Sequence, residues 1–286
     1  MTDPFAACWH RIERAETHRQ AAADIWNAWI EDEPYRFAIH HQGDGKFAVS
    51  VIQQSPAPPE MAVFMGEWLY NLRCALDYAI YATAICDSGK DPPPGEGSLQ
   101  FPCYFTEETY RKNENRLKPL SDYHRTEIVE FMQPYRHEDP DTSALGWLHK
   151  LARIDRHRRL TFMLGYVAEL NPIVAVPAHC SVKHEPAKRV IIDGEAEIAH
   201  FTVSPWQDDW HVQVNPRAGI DPEIGDWAQS TFWSRIRYNE RLLMLKVAVE
   251  SVVVPFEYDC TGDSRKAKLL TESFRAECDA RREPDW

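Results

Sequence analysis

Apolar residues between positions 5 and 30 recur at three and four: Trp9, Ile12, Ala22, Ile25, Trp26 and Trp29, with Arg14, Glu16 and Gln20 elsewhere. That spacing predicts an amphipathic helix, ended by Pro34. The period then shortens to two. Tyr35 to His40 and Lys46 to Ile52 alternate about Gly43-Asp44-Gly45, the signature of a β-hairpin, with His40 and His41 as solvated residues at its turn end. Pro56, Pro58 and Pro59 form a stiff connector before Met61 to Cys86, whose large apolar residues and alanines predict a central helix. A loop rich in Pro and Gly follows at 87–100. Shorter helices are expected at 106–117, 121–133 and 142–158, with Ser121 or Asp122 and Asp141 or Thr142 as caps of the last two.

Beyond Leu160 the pattern changes to short β-rich runs broken by Pro and Gly, at 174–176, 189–192, 197–203 and 211–214. A last helix is expected at about 230–254, apolar nearly all round towards its end and so buried. The fold class is therefore α+β: mainly an α-helical bundle, with an N-terminal β-hairpin at about 35–53 and a small antiparallel sheet at about 160–216 inserted before the last core helix. Residues 1–256 are expected to form one domain, and 257–286 a polar tail or loosely packed helix.

Composition narrows the function classes. The chain has 286 residues, 44% of them hydrophobic, and a formal net charge of −12. That is a globular composition, and its acidity argues against a broad nucleic-acid surface or an anionic membrane while permitting a local basic patch. Seven cysteines, odd in number and never arranged as C-x-x-C, argue against a disulfide framework or a zinc finger and for a reducing compartment. The first residues lack a basic and apolar leader, and no apolar run reaches membrane-spanning length, so a soluble cytoplasmic protein is expected. Ten tryptophans allow an apolar pocket or a homodimer seam, although tryptophan commonly serves as core.

Sharp catalytic and nucleotide motifs are absent, and no cofactor is implied. Glu197 and His200 form an E-x-x-H, but in strand-like sequence residues three apart point to opposite faces. Asp122/His124 and Asp155/His157 repeat D-x-H, yet two residues two apart on a helix diverge by about 200° and cannot chelate one ion. No metal is expected.

The central helix offers more. Arg73 and Asp77 share one margin of its apolar face, while Asn71 and Tyr78 lie nearly eclipsed at the other. An i, i+4 ion pair can simply order a helix; an arginine held by a carboxylate can also bind phosphate or carboxylate bidentately. The densest cationic run is His149 to Arg159. Wound with Trp147, Leu151 and Ile154 inward, it carries Asp155 and Arg158 inward and leaves His149, Arg153 and Arg156 outside. Inward charges need partners. The expected network pairs Arg73 with Asp155 and Asp77 with Arg158, as a register clamp or as the floor of a polar pocket with His157 or Tyr78 as proton carriers.

Five blocks carry a resemblance: Ala15 to His18, Gly66 to Tyr78, Phe101-Pro102, Met132 to Tyr135 and Leu148 to Arg158. Together they resemble a widespread family of uncharacterised bacterial proteins with the pattern G-D-x-L-H-N-L-R-S-A-L-D-H, F-P, Q-P-Y and I-D-K-H-R. The chain is more distantly similar to the HEPN helical bundles, many of which are RNases using an Arg followed after four to six residues by His. The resemblance implies an RNase-like site at Arg73, but Tyr78 stands where the histidine would be, and a tyrosine is a poor base at neutral pH. His157 would then have to serve. Two function classes result. The first is a binding or interaction module taking a small anion or a protein partner through Asn71, Arg73, Tyr78 and Arg158. The alternative is a HEPN-like RNase or nucleotide-acting enzyme, which the acidic charge disfavours.

Overall fold

The computed structural model describes residues 3–157, 163–185, 190–207, 212–215 and 218–262. In chain order the elements are α1 (Ala6–Glu31), β1 (Tyr35–Gly43), β2 (Lys46–Gln53), α2 (Pro59–Ser88), α3 (Glu107–Asn113) and α4 (Ala144–His157). Strands β3 (Met163–Leu170), β4 (Ile173–Ala175), β5 (Ser181–His184), β6 (Ile191–Ile192), β7 (Glu195–Ser204), β8 (Gln213–Asn215) and β9 (Ala218–Ile224) follow. The short α5 (Gly225–Ala228) and the long α6 (Tyr238–Thr261) close the series. The α+β class stands, with the hairpin and strands β4, β6, β7 and β8 on the runs where the apolar periods placed them.

Two compact units result, one of Met1–Arg19, Met65–Arg159 and Asn239–Trp286, the other of Gln20–Phe64 and Leu160–Tyr238. The first is helical. Its buried side chains come from α1 (Phe5 just ahead of it, Cys8, Ile12), α2 (Trp68, Leu69, Leu72, Ala75, Ala79, Ile80), α4 (Leu145, Leu148, Leu151) and α6 (Leu245, Val249, Val252, Phe256). Each large apolar side chain buried in this way contributes about 1.5–3 kcal/mol before entropy is counted. The helix expected over 121–133 is a π-helical turn at His124–Glu130. Helix α6 begins later and ends later than 230–254: Ser230 Oγ caps a separate turn by accepting from Trp233 N at 3.2 Å, and the helix runs on through Pro255 to Thr261. Residues 263–286 lie outside the described residues.

In the second unit, the hairpin is half of a larger sheet. The order is β1-β2-β7-β5, all neighbours antiparallel, with β2 and β7 paired from Lys46↔Thr202 to Ile52↔Glu195. Phe47 and Phe201 stack across this pair at 5.0 Å between ring centroids, within a core that includes Val49, Val51, Ile198 and Val203. The hairpin turn places Gly43, Asp44 and Gly45 all at positive φ, which only such residues adopt cheaply. A second sheet has the order β6-β3-β9, and β4 pairs with β8. Strands β3, β5 and β9 were not predicted. In β3 a bulge between Val167 and Glu169 breaks the alternation. In β9 Pro222 masks the strand, which tolerates it as an edge. The strands predicted at 189–192 and 211–214 are described only from Ile191 and Gln213 onward. Among the described residues, no helix is long and apolar enough to cross a membrane.

Candidate functional site

Arg73 and Asp77 form a closed clamp, and they close it on the main chain of Phe101. Arg73 Nη1 donates to Asp77 Oδ1 at 2.7 Å and Nη2 donates to the Phe101 carbonyl at 2.6 Å, while Phe101 N donates to the same Asp77 oxygen at 2.8 Å. The loop is gripped again one and three residues on: Gln133 Nε2 donates to the Pro102 carbonyl at 2.9 Å and Gln133 Oε1 accepts from Tyr104 N at 3.0 Å. Arg73 is 7% exposed and Gln133 fully buried. Burial, partly offset by the Arg73 guanidinium, holds the Asp77 carboxyl above its ordinary pKa.

This corrects the expected network. Arg73 spends its guanidinium within α2 and on Phe101, so it does not pair with Asp155. Asp155 instead meets α2 at Gly66, where a Cβ would lie 2.5 Å from its carboxylate oxygen, so the two helices approach only because position 66 is glycine. Arg158, and with it the pairing to Asp77, lies outside the described residues. His157 is exposed at the end of α4.

Asn71 and Tyr78 are brought together by a residue that sequence reasoning missed. Arg11 of α1 donates from Nη1 to Asn71 Oδ1 at 3.1 Å and from Nη2 to the Tyr78 hydroxyl at 3.0 Å. Its guanidinium also lies 5.3 Å from the Tyr78 ring centroid and 6.0 Å from that of Tyr70. From the other side, the Arg156 guanidinium of α4 stands 5.8 Å from the same Tyr70 ring. Both tyrosines are exposed. Among the described residues, Arg11, Arg153 and Arg156 make no ion pair with a carboxylate.

His149 was expected to point outward. The buried face of α4 is turned towards Leu145, Leu148 and Ala152, which carries His149 to its margin, half-buried. Desolvation, with the Arg73, Arg153 and Arg156 guanidiniums, lowers its pKa to about 4, so the imidazole is neutral at pH 7. The signal was present in the four-residue spacing from Leu145 to His149. For Arg11 it was only a cation at the edge of the α1 apolar stripe.

Two further histidines depart from expectation. Glu197 Oε1 and His200 Nε2 are 2.6 Å apart. They share a face because β7 carries a bulge: Val49 pairs with Ala199 and Ser50 with Glu197, leaving Ile198 as the extra residue. His124 is buried, its Nδ1 2.7 Å from Asp87 Oδ2 and its Nε2 3.7 Å from Asp259 Oδ2. Among the described residues, no group of three or more His, Cys, Asp and Glu side chains is placed to hold a metal ion. No protein-family model, curated protein or solved structure matches the chain.

Proposed function

We propose that the chain is a binding protein for a small anionic ligand, taken up on the exposed face of α2 between Arg11 and Arg156. The observation that carries this is the convergence of two guanidiniums, from α1 and α4, on the single Tyr70 ring at 6.0 and 5.8 Å. Cation–π attraction offsets part of their mutual repulsion, and Arg11 is aimed by the neutral acceptors Asn71 and Tyr78, so its charge is left for a ligand. Arg73, in contrast, is consumed by its clamp. The exposed faces of Tyr70 and Tyr78 favour an anion that carries a planar ring, which stacks while the guanidiniums hold its phosphate or carboxylate. Free cysteines throughout the described residues support a cytoplasmic setting.

Calorimetric titration with adenosine monophosphate and with inorganic phosphate tests the reading. Saturable binding of the nucleotide is expected, weakened about tenfold to a hundredfold in Arg11→Gln and in Arg156→Gln, in line with the loss of a charge-assisted hydrogen bond. Binding that is unchanged in both variants would remove the site from α2.

The neutral His149 beside Arg73 favours one second reading, a HEPN-like RNase in which His149 takes the proton that Tyr78 cannot. Cleavage of single-stranded RNA lost in His149→Ala and kept in His157→Ala would establish it. No cleavage by the intact chain leaves the binding function alone.

A further inference from the structure

The ends of α2 and α6 meet around one imidazole. Asp87 and Asp259 flank the buried His124 ring, one at each nitrogen, at 2.7 and 3.7 Å. Their chain neighbours Cys86 and Cys260 are brought together by the same arrangement. Both cysteines line one cleft of about 980 Å³, with Tyr81, Ile85 and Lys90 along its wall. Cys86 is exposed, Cys260 is half-buried, both are free, and Cys86 is among the neighbours that act on the Cys260 thiol.

We propose that Cys86 and Cys260 form a redox dithiol, a modification site that a hydroperoxide oxidises to a disulfide joining the C-terminal ends of α2 and α6. Exposure assigns the roles: Cys86 reacts first and Cys260 resolves. Burial, then the hydrogen bond to Cys86 and the charges of Asp87 and Asp259, push the Cys260 thiol up, so it stays protonated at neutral pH. In the first step the Cys86 thiolate sulfur attacks hydrogen peroxide; an S–O bond forms, the O–O bond breaks, and the departing hydroxide takes up the proton that Cys86 gave up on ionising and leaves as water, giving a sulfenic acid. In the second, the Cys260 sulfur displaces that hydroxyl; the S–S bond forms, the S–O bond breaks, and the Cys260 proton leaves with the hydroxide as a second water. Two thiols lose two electrons in total and hydrogen peroxide gains them.

The test treats the full chain with hydrogen peroxide, blocks remaining thiols, and digests it with chymotrypsin without reductant, which separates Cys86 from Cys74 and Cys260 from Cys278. A linked pair of peptides carrying Cys86 and Cys260 is expected, released by dithiothreitol and lost in Cys86→Ser and in Cys260→Ser. In Cys260→Ser, dimedone is expected to trap a sulfenic acid on Cys86. Circular dichroism checks that both variants fold. Linkage of Cys86 to any other cysteine, over-oxidation of Cys86 with no linked peptide, or no reaction at either thiol would overturn the proposal.

Discussion

Arginines 11 and 73 illustrate how neighbouring guanidiniums take different roles. Arg73 is buried and satisfied by a carboxylate and a carbonyl, so its removal leaves the buried Phe101 carbonyl without its donor and the partly exposed Asp77 without its cation. Arg73→Ala should cost about 1–3 kcal/mol in urea unfolding, the range for leaving a buried polar group without its partner, and a double-mutant cycle with Asp77→Ala should show coupling. Arg11→Ala should change stability by only about 0.5–1 kcal/mol while weakening anion binding. His149 supplies a pH signature. Its folded pKa, about 4, lies below the ordinary 6.5, so the stability it contributes is present above pH 6.5 and lost as pH falls towards 4. Unfolding titrations between those values should show a shallower decline in His149→Gln. The partnership of Asn71 with Tyr78 was legible in the sequence, because seven residues of helix return to one face whatever surrounds them. Arg11 was not, since nothing in α1 states which margin of α2 it will face.

At the scale of elements, bulges set the limit on what periodicity reveals. A strict period of two assigned Glu197 and His200 to opposite faces; one extra residue, Ile198, reunites them and keeps its own side chain in the core. Deleting Ile198 leaves Val49 opposite Ala199 and Ser50 opposite Glu197, so it restores the regular alternation with every other side chain on its own face and removes one buried side chain from the core. The expected outcome is a β2–β7 ladder that survives at lower stability, seen as amide protection from hydrogen exchange kept at Val49 and Val51 in a protein that unfolds at lower urea. Helices α1 and α2 were more legible because they have no such interruption. Residues scattered along the chain find their reasons here: Arg73, Asp77 and Gln133 fasten the loop at Phe101 to Tyr104, and Gly66 admits Asp155.

For the whole molecule, the net charge of −12 opposes an approaching anion while three arginines invite it locally. For a single-stranded oligonucleotide probe, contacts to Arg11, Arg153 and Arg156 correspond to a slope of roughly −2 in log affinity against log salt. A slope several times steeper would indicate a larger basic surface than these side chains make. The division of the chain bears on how the protein is made. Helix α1 gives its residues up to Arg19 to the helical unit and those from Gln20 to the sheet-bearing one, and α2 divides again between Phe64 and Met65. Neither unit can therefore be excised as a fragment of contiguous sequence. As the chain leaves the ribosome, the apolar faces of α1 and α2 emerge long before α6, whose Leu245, Val249, Val252 and Phe256 belong to the same unit. The nascent protein must carry that uncovered surface until α6 has been made, the stretch in which holding chaperones have most to offer it.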